Sequence, residues 1–317
     1  MRIACVGAGS IGMLVAFRLA AAGTDTTLIT RTGEQAELLN ETGVHLLNGG
    51  AESVVAIRAR SYESKTAPLP DGAEKPYDWV FLTVKQKHIT EPLLDTLHHL
   101  LGEQGKLVCF QNGIGHVEKL EERFPLARIY LAVTTEGAKK LSPSRVAHTG
   151  QGWTTIGHAG TDIGGKERNL LEKTMNEAGF RTFLSNQMIE IVWNKLLINA
   201  VINPLTALLR LRNGELPASE ARRRLMRDLL EEGLAAANAS GIRTREDVWE
   251  QLLDVCAKTA GNHSSMLQDV SEGRITEIDW INGAMLEAGA RHGVPMPHHE
   301  SVYRLIKAAE PAEPATT

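Results

Sequence analysis

Apolar positions fall in short blocks through the first half of the chain and in long helical stripes through the second. Residues 2–6 (RIACV), 78–84 (DWVFLTV) and 106–111 (KLVCFQ) are near-continuous apolar runs of strand length, and 26–30 (TTLIT) reads as the next strand. Runs of this kind mark strands buried on both faces of a sheet. Amphipathic stretches separate them. Ile11, Leu14, Val15 and Leu19 recur at helical spacing, and Gly23 marks a stop. Residues 34–40 and 90–101 read as further helices, 44–60 as β-rich sequence, and 128–133 and 153–156 as more strand. This alternation predicts an α/β fold built on a parallel sheet. From about residue 186 strand signals nearly vanish. Residues 187–212, 218–240, 245–257 and 276–291 read as helices, so 186–310 is expected to be an all-α domain. The polar, proline-containing stretch 61–76 reads as an excursion loop. The tail 311–317 is expected to be disordered.

The first strand runs into Gly7-Ala8-Gly9-Ser10-Ile11-Gly12, and a helix follows. That context makes GxGxxG a dinucleotide fingerprint. Gly7 suits a tight turn, Gly9 leaves room for a pyrophosphate, and Gly12 lets helix and strand pack closely. The helix N-terminus adds N–H groups and positive dipole. Residues 1–185 are therefore expected to form a Rossmann-type dinucleotide-binding domain. About 20 residues beyond the fingerprint an Asp or Glu selects NAD. Thr30-Arg31-Thr32 stands there instead, and Arg31 can pair with a 2′-phosphate. NADP(H) is the expected cofactor. In the alternative, Arg31 is a solvated loop arginine and Glu34 turns inward. Lys85 and Asn112 follow two further strands and point toward the same sheet edge, where ligands of such folds sit. Either alone would be ordinary loop chemistry.

The segment 193–208, WNKLLINAVINPLTAL, sets Lys195, Asn199 and Asn203 four residues apart among apolar neighbours. Each step of four drifts only ~40° around a helix, so the three share a face. Buried polar groups need partners, which a polar substrate or other protein groups can supply. Packing among apolar neighbours lowers a lysine pKa toward neutrality, which suits a general acid. Pro204 removes a backbone donor and is expected to kink or end the helix near Ala200–Asn203, freeing backbone groups for a ligand. A second polar cluster spans 264–283. There Thr276-x-x-Asp279 resembles a capping box opening the last long helix, with Glu277 in its first turn. On spacing alone, Glu277 there only complements the helix dipole.

Composition narrows the class. At 317 residues, two domains are expected. A net charge of −4 gives no footprint for nucleic acid or an anionic membrane. No uninterrupted apolar run approaches the ~20 residues of a membrane span, and the N-terminus does not read as a signal peptide. Cys5, Cys109 and Cys256 are odd in number and match no metal spacing. A cytoplasmic protein without a metal site is expected.

The motifs WxKLxxNxxINPLTAL, SSMLQDV, GRxTEIDxING and GVPxP, with the N-terminal GAGxxG, resemble the 2-dehydropantoate 2-reductase (ketopantoate reductase) family. The resemblance runs from residue 1 to about 307. It implies NADPH-dependent reduction of ketopantoate to (R)-pantoate, in pantothenate and coenzyme A biosynthesis. It implies Lys195 as the proton donor and Glu277 as a second catalytic residue at the same site, touching cofactor as well. Asn112 is implied as a contact to both cofactor and substrate. Asn199, Asn203, Asn213 and Ser265 are implied as substrate contacts. Gly7, Ala8, Gly9, Ser10, Ile11, Gly12, Arg31, Lys85 and Ala138 are implied as cofactor contacts. Ser10 departs from the commoner alanine, and Trp280 from the frequent tyrosine. Two rivals stay open: a paralogue acting on another 2-oxo acid, and an NADP(H)-sensing module that catalyses nothing. The helical domain offers candidate surfaces for a homodimer, and the sequence does not decide whether they pair.

Overall fold

The computed structural model describes residues 1–63, 75–160 and 165–312. Most of the expected excursion loop (64–74) and of the expected tail (313–317) lies outside the described residues. The chain divides into two compact units. Unit 1 holds Met1–Gln111 and His116–Met188; unit 2 holds Asn112–Gly115 and Ile189–Thr317.

Unit 1 runs β1 (Arg2–Val6), α1 (Ser10–Ala21), β2 (Asp25–Thr30), α2 (Gly33–Thr42), β3 (Val44–Asn48), β4 (Ala51–Val55) and β5 (Arg58–Ser61). It continues through β6 (Trp79–Leu82), α3 (Glu91–Leu101), β7 (Lys106–Cys109), α4 (His116–Glu121), β8 (Ile129–Thr134), β9 (Gly137–Lys140), β10 (Arg145–Gly150), β11 (Thr154–His158), α5 (Lys166–Glu177) and β12 (Thr182–Leu184). Among the described residues one sheet has the order β12-β11-β8-β7-β6-β1-β2-β5. Its pairs are parallel except β8 with β11. β1 is fully buried from Ile3 to Val6, as its unbroken apolar run requires. The order reverses at β1, with β2 on one side and β6 on the other. Such a switch point opens a crevice at the strands' carboxyl ends.

A second sheet, β4-β3-β10-β9, packs on α1. A buried polar group reinforces that packing. Glu136 accepts from His148 Nε2 at 2.6 Å and lies 3.7 Å from the Arg18 guanidinium of α1.

Unit 2 is helical: α6 (Met188–Leu209, from Ile189 onward), α7 (Glu220–Ala239), α8 (Val248–Lys258), α9 (Ser265–Ser271), α10 (Asn282–Arg291) and α11 (Pro297–Ala309). Its core gathers Leu196, Leu197, Val201 and Leu205 of α6 with Leu229 of α7, Leu252 of α8 and Met285 of α10.

Three expectations are corrected here. First, α6 is continuous through Pro204, neither ended nor freed for a ligand. Proline removes the N–H that would bond the carbonyl of Ala200. The Asn282 side-chain amide donates to that carbonyl instead, at 2.9 Å. A protein group therefore takes the acceptor that proline orphans. Second, the last long helix does not open at Thr276. Ile278–Trp280 forms a single 3-10 turn, and α10 starts only at Asn282. Asp279 faces Tyr303 and Lys307 rather than a capping partner. Third, α9 and α11 lie outside the expected helices. Ser264 caps α9 by accepting from Leu267 N–H at 3.1 Å, and Pro297 sits in the first turn of α11.

By length and composition alone α6 is apolar enough to cross a membrane, because Lys195 and the asparagines interrupt its apolar run without breaking the average. Yet 67% of its most apolar stretch is buried inside the protein, so it is the core helix of unit 2.

Candidate functional site

In unit 1 the glycine-rich turn joins β1 to α1 at the switch point. Gly7 sits at φ +112°, and a Cβ there would lie 2.8 Å from Val84 Cγ1. A Cβ on Gly12 would lie 1.8 Å from the carbonyl oxygen of Gly7. No side chain fits at either position. Gly9 differs: nothing lies within 4 Å of its would-be Cβ. That open space over the backbone is where a pyrophosphate would approach, at first-turn amides that have no intrahelical acceptor. Thr83, after β6, fastens the turn by donating from Oγ1 toward the carbonyls of Val6 and Gly7, each at 2.9 Å.

The turn is held from the second sheet as well. Ser10 Oγ accepts from Lys140 N–H at 3.0 Å, and Lys140 Nζ donates to Ala8 O at 2.9 Å. Burial lowers the Lys140 pKa. Ala138, two residues earlier in β9, pairs with His148 and packs against the core of the unit. Ile11 also packs against that core.

Arg31 leaves the carboxyl end of β2. Its Nε lies 3.8 Å from Glu63 Oε2, and both side chains are more than half exposed (59% and 53%). An exposed pair of this kind is weak and exchangeable. Glu34 is exposed in the first turn of α2, not turned inward. Lys85 precedes the short turn Gln86–His88 after β6. The His88 pKa is lowered by burial and then by the charges of Lys87, Arg31 and Lys85. Those basic groups therefore share one electrostatic neighbourhood.

In unit 2 three of the expected residues meet. Asn112 Nδ2 donates to Glu277 Oε2 at 3.2 Å. Glu277 is buried, and its carboxylate interacts with the Lys195 ammonium. Burial pushes the Lys195 pKa down to about 8, while Glu277 acts in the opposite sense. The lysine residue keeps part of its surface open. The loop carrying Asn112 is fixed next to the same turn. Ile114 N–H donates to Trp280 O at 3.2 Å, and a Cβ on Gly113 (φ +79°) would lie 2.0 Å from that oxygen.

The remaining expected residues spread along unit 2. Asn199 is half-buried one turn after Lys195, and Asn203 is buried. Thr206 Oγ1 lies 2.8 Å from Ser264 Oγ, which brings the start of α9 beside α6. Ser264 is buried as the cap, and Ser265 is exposed. Asn213 donates from Nδ2 to Thr259 Oγ1 at 2.9 Å, and its buried Oδ1 has no hydrogen-bond partner. Among the described residues no cluster of His, Cys, Asp and Glu could hold a metal ion.

Thr83 and Lys140 escaped the sequence reading. Thr83 is the one hydroxyl inside the apolar run 78–84, a signal that was readable. Lys140 carried none, because only the pairing of β9 with β10 brings it to the turn.

Unit 1 thus carries a glycine turn at the switch point of a largely parallel sheet, the arrangement of dinucleotide-binding folds, and unit 2 a lysine on a polar helix face. The comparisons carry this further. The family model described as "Ketopantoate reductase PanE/ApbA" matches residues 3–161, and its C-terminal counterpart matches 187–310. The chain belongs to the ketopantoate reductase PanE/ApbA family, a family of NAD(P)-dependent 2-oxo acid reductases. The 2-dehydropantoate 2-reductase of Bacillus subtilis is 33% identical over 313 residues, covering 98% of each chain. That of Pyrococcus horikoshii is 32% identical, again covering 98% of each. Among solved structures, D-mandelate dehydrogenase with NADH and anilino(oxo)acetate superposes with a TM-score of 0.86 at 25% identity, covering 98% of both chains. A PanE/ApbA family ketopantoate reductase from Ralstonia eutropha gives 0.85 at 25% identity and the same coverage.

Proposed function

We propose that this chain is a cytoplasmic, NADPH-dependent 2-dehydropantoate 2-reductase that forms (R)-pantoate for pantothenate and coenzyme A biosynthesis. The observation that carries the reading is the desolvated Lys195 interacting with Glu277, which also accepts from Asn112. Gly7 to Gly12 would hold the dinucleotide pyrophosphate, and Arg31 with Lys85 its 2′-phosphate. Reduced nicotinamide, when bound, supplies the hydride for the 2-oxo carbon. The chain's own work is to manage the oxygen. Lys195 stabilises the charge that develops there and delivers a proton from Nζ. Its lowered pKa makes that delivery easier than from an ordinary lysine. Asn112 orients Glu277, which keeps the lysine protonated at neutral pH. Asn199 and Asn203 offer amides along the same helix face. The unpartnered Asn213 Oδ1 suits a substrate hydroxyl as donor. Ser265, exposed at the start of α9, completes the set.

A second reading has its own support in the similarity to D-mandelate dehydrogenase, an enzyme seen with NADH. There the substrate would be an aromatic 2-oxo acid. Pocket contacts separating such substrates are each worth only ~1–3 kcal/mol.

One panel tests both readings. Oxidation of NADPH and of NADH is followed with ketopantoate, 2-oxoisovalerate, oxaloacetate and benzoylformate, for wild type, Lys195→Met and Arg31→Ala. Ketopantoate with NADPH is expected to give the highest kcat/KM. Lys195→Met should lose ~10²-fold or more of kcat. Arg31→Ala should weaken NADPH and leave NADH almost unchanged. Tight NADPH binding without turnover of any 2-oxo acid would instead identify a sensor.

A further inference from the structure

The turn that carries Glu277 does not hold itself in place. Thr276, fully buried, donates from its N–H and from Oγ1 to one oxygen of Glu310, at 2.8 and 2.7 Å. The same hydroxyl accepts from Ile278 N–H at 3.1 Å, so it brackets Glu277 on both sides. Two residues beyond Glu277, Asp279 accepts from Tyr303 OH at 2.8 Å and from Lys307 Nζ at 3.1 Å. Lys307 also reaches the other oxygen of Glu310 at 2.8 Å. Tyr303 and Lys307 lie on α11, and Glu310 follows its last residue. The Glu310 side chain is only 3% exposed.

A buried carboxylate is costly unless its oxygens are bonded and its charge is matched. Glu310 meets both conditions: one oxygen serves Thr276 and the other faces Lys307. Lys307, shared by two carboxylates, is held charged. Burial opposes that charge, but the bonds to Glu310 and Asp279 outweigh it and raise the pKa. The result is a closed polar bracket from the end of α11 to the residues on either side of Glu277.

We propose that Glu310 and Lys307 are positioning residues of this reductase, holding the Thr276–Asp279 turn so that Glu277 can engage both Lys195 and Asn112. The inference rests on the reading of Lys195 and Glu277 as the acid and its partner. Without the bracket, Glu277 samples other orientations. It then bonds Asn112 less often and supports the lysine's charge less. A glutamine at 310 still accepts from Thr276, whereas an alanine cannot.

The test is a cycle of Glu310→Ala, Glu277→Gln and the double variant in the full-length protein, with Glu310→Gln and Lys195→Met alongside. NADPH dissociation constant and thermal midpoint serve as fold controls. Activity is read as kcat and KM separately, with pH profiles. In Glu310→Ala, kcat should fall about three- to tenfold. The alkaline limb of its profile should move to lower pH, while NADPH binding changes little. Glu310→Gln should recover most of the loss. In the Glu277→Gln background, Glu310→Ala should have no further effect on kcat. Additive losses in the cycle, or a folded Glu310→Ala with wild-type kcat and pH profile, would overturn the proposal. If Glu310→Ala does not fold, Lys307→Met takes its place in the cycle, with the same direction expected and the same outcomes overturning it. An active Lys195→Met refutes the acid reading itself. An inactive Lys195→Met beside a wild-type-like Glu310→Ala refutes only the bracket.

Discussion

At the scale of the residue, the proposed chemistry depends on how one lysine keeps its proton. Burial disfavours the ammonium of Lys195 and Glu277 favours it, with a net pKa of about 8. A general acid must be protonated to act. The rate of carbonyl reduction should therefore be steady at neutral pH and fall as pH rises through about 8. Removing the Glu277 charge takes away the favourable term and leaves the burial. In Glu277→Gln the alkaline limb should move to lower pH, by about one unit or more if the attraction is worth ~1.4 kcal/mol. Stopped-flow measurement of the hydride-transfer step against pH would show it. A limb that stays put, or moves up, would mean that the titrating group is not Lys195. Asn112 acts on the same balance through its bond to Glu277 Oε2. Asn112→Ala should give a smaller shift in the same direction.

At the scale of the element, α6 shows how a proline can sit inside a buried helix. Pro204 leaves the carbonyl of Ala200 without its usual donor, and Asn282 supplies one. The same amide approaches His299 Nδ1 at 3.1 Å, and His299 Nε2 donates to Leu229 O at 2.9 Å. This chain of bonds fixes the imidazole as neutral, since Nδ1 must accept. Asn282→Ala should cost ~1–3 kcal/mol, because it strands a buried acceptor. In a Pro204→Ala background the new N–H can serve Ala200 itself. The cost of Asn282→Ala should then shrink by about 1 kcal/mol, a coupling that urea unfolding of the four variants can resolve. Strict additivity would mean that Asn282 does not stand in for the missing donor.

Much of this was readable along the chain, for physical reasons. β1 from Ile3 onward and β6 throughout are apolar because both faces are covered, so they stand out in any sequence. The glycines of the turn are legible because sterics leave no alternative. Asn282 was not: a buried asparagine whose partner is a carbonyl more than eighty positions away leaves no local mark. Glu310 was hidden for the same reason, and it also sat at the edge of a stretch that reads as tail. The 3-10 turn at Ile278–Trp280 reads as helix in the sequence because Thr276 and Asp279 have capping spacing. Their real partners lie on α11.

At the scale of the whole molecule, each unit carries a buried histidine that acid must charge. In unit 1 His116 is buried, neither ring nitrogen has a partner, and its pKa is lowered to about 4 by desolvation. In unit 2 burial likewise lowers the pKa of His299, against the pull of Leu229 O and Glu232. The sign follows from linkage. The unfolded chain takes up a proton at each site near pH ~6.5, and the folded chain resists. Stability is therefore complete above ~6.5 and declines as pH falls toward the folded values. His116 alone should remove about 2 kcal/mol by pH ~5. The loss on going from pH 7 to 5 should carry the contribution of these two histidines. Urea unfolding at pH 7.0, 6.0 and 5.0 measures it. Wild type should lose stability steadily across that range, and His116→Gln should lose distinctly less for the unit 1 transition while His299 still acts on unit 2. A wild-type curve flat to pH 5.0 would mean that both imidazoles have access to protons in the fold. Because the two losses come from different units, tryptophans report them separately: Trp79 for unit 1, and Trp193, Trp249 and Trp280 for unit 2. Single-tryptophan variants that lose stability together at every pH would show that the units unfold as one.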